Sequence, residues 1–125
     1  MSSPKYTFSK KERVKSKKEM SRIFKDGIFF YSDVMSLGVI KSCNEKQTQH
    51  KIAISVPKKI FKLAVTRNRV KRQIREAYRL NKHILYSNSE VVSVYNMMFI
   101  YKNKSVIDYS LIESKIIELL KKVNN

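Results

Sequence analysis

Apolar and polar residues change rhythm several times along this chain, and each change marks an element. In "SKKEMSRIFKDG" (16–27), Met20, Ile23 and Phe24 recur at helical spacing. Ser16 and Glu19 form an S-x-x-E capping box before them, and Gly27 stands where a helix C-cap belongs. A short helix is predicted. The rhythm then drops to two. "DVMSLGVIK" (33–41) sends Met35, Leu37 and Val39 to one face and Ser36, Gly38 and Ile40 to the other. "KIAISVP" (51–57) does the same with Ile52, Ile54 and Val56 against Ala53 and Ser55. The polar "SCNEKQTQH" between them reads as a hairpin loop, and Pro57, which has no N–H, ends the second strand. "GIFFYS" just upstream adds a third strand. Residues 66–85 make the longest helix, with Val70, Ile74, Ala77, Tyr78, Ile84 and Leu85 on one arc. After a loop, "MMFIYK" (97–102) is a fourth strand. "DYSLIESKIIELLKKV" closes the pattern as an amphipathic helix, with Lys121 and Lys122 suited to its C-terminal dipole.

The predicted order is α-β-β-β-α-β-α in a single α+β domain, residues 1–125, with a mainly antiparallel four-stranded sheet and helices packed on it. Residues 1–15 are basic and aperiodic apart from Tyr6 and Phe8, and are expected to form a loosely ordered arm. There are no internal repeats and no low-complexity tract.

Charge changes the picture more than composition does. Lys and Arg number 27 against 10 acidic residues, a formal net charge of +17. Such self-repulsion weakens a compact state, so a polyanionic partner is expected, nucleic acid first. A membrane is not expected, since no apolar 18-mer occurs. The N-terminus lacks the apolar core of a secretory signal. The lone cysteine, Cys43, has no partner for a disulfide and is expected as a reduced thiol in or beside a strand. Together these favour the cytoplasm.

The 27 basic residues divide into 20 Lys and 7 Arg, yet five of the Arg fall in "TRNRVKRQIREAYR" (66–79). On the helical wheel Asn68, Lys71, Arg72, Arg75, Arg79 and Lys82 gather beside Arg67, next to the apolar arc, and Arg69 stands apart. A solvated charged face is the plain alternative. Against it, the face has one acidic neighbour, Glu76, where solvated helices usually interleave signs. A guanidinium also grips phosphate through two bonds and stacks on bases, which an ammonium does not. Asn68 adds an amide able to read a base edge or a 2′-OH. Contact with nucleic acid is the expectation.

Other chemistry is sparse. His50 and His83 are far apart, no paired carboxylates or metal-ligand spacing occurs, and Gly27 and Gly38 are the only glycines, so no phosphate-cradling loop exists. No catalytic residue, no metal ligand and no small-molecule substrate is expected of the chain itself.

"SVPKK" followed by "RNRVKRQIREAYR" resembles the protein subunit of bacterial ribonuclease P. "KKERVKSKKEMSRIFKDG" is similar to that family's opening arm and first helix, and "NMMFIYK" to its fourth strand. The resemblance implies a fold like domain 2 of ribosomal protein S5, with a left-handed βαβ crossover. It implies a ribonucleoprotein that removes the 5′ leader from precursor tRNA, in which the RNA subunit hydrolyses the phosphodiester with Mg²⁺. It carries ribonuclease P RNA binding to Arg67, Asn68, Arg69, Lys71, Arg72, Arg75 and Lys59. It places the single-stranded leader in a cleft between the sheet and the first helix, with Phe24, Met20, Ser55, Lys58 and Gly38. The small residues Ser36, Gly38, Ala53 and Ser55 then predict a shallow, open sheet face. Two positions depart from the family pattern: Met20 and Gly38 stand where aromatics are frequent. Phe24 is either a wall of that cleft or a core residue. The alternative function is a structural RNA-binding protein of ribosomal type with the same fold. A sequence-specific DNA-binding protein is weaker, because Asn68 is the one good base reader on the helix.

Overall fold

The computed structural model describes residues 12–14, 16–43, 46–47, 49–86 and 94–124. The arm residues Tyr6 and Phe8, and most of the loop before the fourth strand, lie outside them. The elements are α1 (Lys17–Asp26), β1 (Ile28–Tyr31), β2 (Met35–Lys41), β3 (Lys51–Ser55), α2 (Ala64–Asn81), β4 (Tyr95–Tyr101) and α3 (Tyr109–Asn124), with a 3-10 segment at Lys82–Tyr86. This is the predicted α+β order. The long helix starts two residues earlier than its pattern and passes into the 3-10 segment after Asn81.

The four strands lie in the order β1-β2-β4-β3. β1 and β2 pair antiparallel, β2 and β4 pair antiparallel, and β3 and β4 pair parallel through the α2 crossover. The expected hairpin between 33–41 and 51–57 is therefore not formed: β4 inserts between those strands. The physical reason is burial. Asn96, Met97, Met98 and Phe99 are all buried, so β4 is covered on both faces and hydrogen-bonded on both edges, the position a continuous apolar run favours. Alternation assigned faces correctly but carries no information about which edge a strand pairs with.

One face of the sheet packs against α2 and α3. Leu37, Val39, Ile52, Met97 and Phe99 meet Val70, Ile74, Tyr78, Ile112, Ile116 and Leu119 there. The other face receives α1. Ile23 is fully buried among Val14, Ala53 and Met98, with Met20, Ile40 and Ile100 around it. Ser16 caps α1 by accepting from the Glu19 N–H at 3.3 Å. The Glu19 carboxylate does not return to the cap but accepts from Asn96 Nδ2 at 2.6 Å and Arg22 Nη1 at 2.9 Å, tying α1 to β4. Gly27 ends α1 in extended rather than left-handed backbone. Glycine is needed there for space, because a Cβ would collide with the Ile23 carbonyl.

The end of the arm is not loose. Glu12 and Val14 are buried, and Arg13 bridges in parallel to Ile52. Lys82 Nζ donates to both Glu12 carboxylate oxygens at 2.9 and 2.8 Å. His50, also buried, accepts from the Tyr95 N–H at Nδ1, 3.0 Å, and its backbone N–H donates to the Tyr86 hydroxyl. Desolvation pushes its pKa down to about 4, so the ring is neutral near pH 7. Cys43 is an exposed thiol just past β2, its Sγ accepting from Arg22 Nη2.

Candidate nucleic-acid interface

The arginine cluster sits on the first three turns of α2, and the structure sorts its members. Asn68, Arg69 and Arg72 are exposed; Lys71 and Arg75 are half-buried. Among the described residues, none of these five side chains makes a hydrogen bond or ion pair. Three other cations of the same face are committed inside the protein. Arg67 Nη1 donates to the Phe61 and Lys62 carbonyls at 2.8 and 2.9 Å, holding the loop that enters α2. Arg79 forms a two-bond pair with Glu76, and Lys82 holds Glu12. The apparent uniformity of the basic face is thus broken: Arg67 has a structural duty beside any role toward RNA.

Arg75 shows what the arrangement costs. Burial, then the neighbouring charges of Arg13 and Arg72, lower its pKa from the usual guanidinium value. Like charges have been brought together here. Beside them lies a cleft of about 200 Å³ lined by Arg13, Met20, Lys71 and Arg75 over β3. Met20, predicted for the leader, and Lys71 and Arg75, predicted for the RNA subunit, therefore border one space.

Strand register builds the rest of the α1 face. Phe29, Gly38, Met98 and Ala53 form one row across the four strands; Tyr31, Ser36, Ile100 and Ser55 form the next. The first row lies under α1. A Cβ on Gly38 would meet the Phe29 ring and the Ile23 side chain, and Gly38 itself is buried. The expectation of a shallow, open face at Gly38 is corrected: Phe29, from the neighbouring strand, lies over it. Ser36 and Ala53 are buried too, while Ser55 is half-buried. Beyond Ser55, Lys58 and Lys59 are exposed on a turn closed by the Ile60 N–H to the Pro57 carbonyl, 3.1 Å. Phe24 is 56% exposed on the rim of α1, so the core reading of it does not hold. Ile23 is the core residue of that helix.

Arg13, Phe29, Tyr31 and Lys102 join the site only in three dimensions. The "IFFY" segment signalled a strand, but only the β1–β2 register sets Phe29 and Tyr31 beside Gly38 and Ser36. Arg13 had no local signal beyond its charge.

The chain is similar to known proteins along nearly all its length. The family model described as Ribonuclease P matches residues 8–124. The ribonuclease P protein component of Clostridium botulinum (strain Loch Maree / Type A3) is 35% identical over 114 residues, covering 90% of this chain and 95% of that one. The component from Porphyromonas gingivalis (strain ATCC BAA-308 / W83) is 36% identical over 118 residues, covering 90% and 82%. In structure, the ribonuclease P protein of Staphylococcus aureus superposes with a TM-score of 0.68 at 26% identity, over 90% of this chain and 94% of that one. That of Thermotoga maritima gives 0.71 at 23% identity, over 89% and 96%, a likeness of fold. With the match reaching from residue 8 to the end of α3, the chain belongs to the ribonuclease P protein family.

Proposed function

We infer that this chain is the protein component of a ribonuclease P, which binds the catalytic RNA subunit and the 5′ leader of precursor tRNA and assists removal of that leader. One observation carries the reading: five polar or cationic α2 side chains, Asn68, Arg69, Lys71, Arg72 and Arg75, have no partner among the described residues, and two of them, Lys71 and Arg75, line a cleft beside α1. Arg69 and Arg72, exposed, take phosphates of the RNA subunit by bidentate hydrogen bonds, and Asn68 takes a base edge or 2′-OH. Lys71 and Arg75 face the cleft, where the leader backbone passes. Lys58 and Lys59 meet its phosphates at the far end of the sheet row that finishes at Ser55. Phe24 offers a ring for a base.

The chain's part in the reaction is positioning and charge. Two polyanions must approach each other, and +17 of net charge on the protein offsets their repulsion. Among the described residues no three His, Cys, Asp or Glu side chains converge as a metal site. We assign Mg²⁺ and the hydrolytic step to the RNA. No helix of the described residues is long and apolar enough to cross a membrane, and the cytoplasm, where precursor tRNA is made, is the proposed compartment.

The test is reconstitution. Protein, a bacterial ribonuclease P RNA and precursor tRNA are mixed at a Mg²⁺ concentration too low for the RNA alone. Cleavage at the 5′ end of the mature sequence is expected from the mixture and from neither component alone. RNA binding without any gain in cleavage would leave a structural RNA-binding protein instead.

A further inference from the structure

The α1 face of β1 carries a feature that neither the arginine helix nor the cleft beside Met20 explains. Phe24, Phe29 and Tyr31 form a row. Ring centroids are 6.4 Å apart from Phe24 to Phe29 and 6.4 Å from Phe29 to Tyr31, with interplanar angles of 31° and 24°. The three rings are thus evenly spaced, Phe29 and Tyr31 stacked and Phe24 tilted against Phe29. Lys102 closes the row, its Nζ 4.7 Å from the centre of the Tyr31 ring. Both ends of the row are open to solvent, Phe24 at 56% and Tyr31 at 58% exposure.

Packing accounts for one ring of the three. Phe29 covers Gly38, and an aromatic laid over a strand glycine is a known means of filling that gap. It does not account for Tyr31, which lies opposite Ser36 at the sheet edge and leaves most of its ring in water. Nor does it account for a lysine over that ring in a chain with a large excess of cations. A row of aromatic faces ending in a cation is what unpaired nucleotides need: each base has a π-face to stack, and each linkage a phosphate to neutralise. The ring spacing is close to that between successive bases of an extended strand, and unsuited to a duplex, whose bases are stacked on one another.

We propose that Phe29 and Tyr31, with Lys102, extend the stacking surface of Phe24 along β1 and bind consecutive unpaired nucleotides of the 5′ leader. Phe29 supplies, from the neighbouring strand, the aromatic surface that Gly38 lacks. This rests on the leader-binding reading and adds to it a second track, along β1 rather than across the sheet toward Lys58. The occupant is single-stranded RNA, chosen over a protein segment because the row ends in a lysine on a strongly basic molecule.

The sequence contains no Trp, so Tyr31→Trp introduces a unique fluorophore. Single-stranded oligoribonucleotide should quench it, and a duplex of equal length should not. In the assembled holoenzyme, Tyr31→Ala should weaken binding of precursor tRNA with a long leader by about fivefold to a hundredfold. Mature tRNA, and precursor with a single-nucleotide leader, should bind as before. Tyr31→Phe should retain the affinity. Phe29→Leu, which keeps Gly38 covered without an aromatic face, should show the same leader-length dependence at smaller amplitude. If the wild-type holoenzyme prefers long leaders and both substitutions leave that preference intact, the row is not a binding track, though the leader reading stands. If the wild type has no such preference, both fall. Equal quenching by duplex and single strand would also overturn the proposal.

Discussion

At the scale of single residues, the side chains that matter for RNA and those that matter for the fold carry the same charge, and only their partners distinguish them. Arg69 and Arg72 point into solvent with no partner among the described residues. Replacing either by Ala should lower the log–log salt slope of RNA binding by about one unit or slightly less, without lowering thermal stability. Lys at either position should restore only part of the affinity, because an ammonium cannot grip phosphate bidentately. Arg67→Ala should behave differently. It removes two charge-assisted bonds to the Phe61 and Lys62 carbonyls, so about 1–2 kcal/mol of stability should go, seen as a lower urea midpoint. Equal effects at all three positions would mean that the face is not sorted in this way. The concentration of Arg was plain in the sequence. The diversion of Lys82 was not, because its partner Glu12 lies 70 residues away and on a segment with no helical or strand rhythm.

His50 adds a titration to this scale. Its folded pKa of about 4 lies below the ordinary 6.5, so the unfolded chain binds the extra proton. Its contribution is therefore complete above about pH 6.5 and is lost as pH falls toward 4, up to about 3 kcal/mol. Urea denaturation across that range should show the loss. In His50→Asn, which keeps an acceptor for the Tyr95 N–H, the slope over the same window should flatten. A wild-type stability constant from pH 7 to 4.5 would contradict the burial of a neutral ring.

At the scale of elements, each helix and strand announced itself through its period, and their mutual arrangement did not. β2 and β3 alternate cleanly, and that alternation assigned Leu37 and Ile52 to one core and Gly38 and Ala53 to the other face correctly. Pairing is decided by which strand has both faces covered, and β4 takes the central place because its buried run admits no wet face. The open sheet face inferred from small residues failed for a related reason. Small side chains leave room, and here Ile23 of α1 and Phe29 of β1 fill it. The end of the arm is held in part by an ion pair. The Glu12–Lys82 pair is 3% and 12% exposed at its side chains, joining the end of the arm to the end of α2. Glu12→Ala removes a carboxylate from a largely buried ammonium, and should cost about 3 kcal/mol in urea denaturation. Leu at both positions should recover much of that loss, since an apolar pair of similar volume replaces buried charges without penalty. A cost below about 0.5 kcal/mol for Glu12→Ala would place the pair among ordinary surface bridges.

At the scale of the whole molecule, folding gathers charge that the extended chain keeps apart. Arg13, Arg72 and Arg75 converge from the arm and from α2, and the lowered pKa of Arg75 records their mutual repulsion after the cost of burial. Lys71 lines the same cleft. The acids do little to offset this: Glu12, Glu19, Glu76 and Glu118 are each already engaged with another cation. A native state with such a cluster should bind multivalent anions better than the unfolded chain, whose charges are dispersed. Mass action then stabilises the fold by RT ln(1 + [L]/Kd), about 2.7 kcal/mol at a hundredfold excess over Kd, which is a large share of the stability of a small domain. The protein in low-salt buffer should therefore be partly unfolded. Sulfate, pyrophosphate or short RNA should fold it at about millimolar concentration or below, and chloride only at far higher concentration, because the site selects geometry as well as charge. Circular dichroism titrations at matched ionic strength measure this directly. Arg75→Gln should shift the balance both ways at once, raising helicity without anion by relieving the repulsion and weakening the response to pyrophosphate by removing a ligand. Full helicity of the wild type in anion-free buffer, or matched titration curves for chloride and sulfate, would show that the charge cluster is tolerated without a partner.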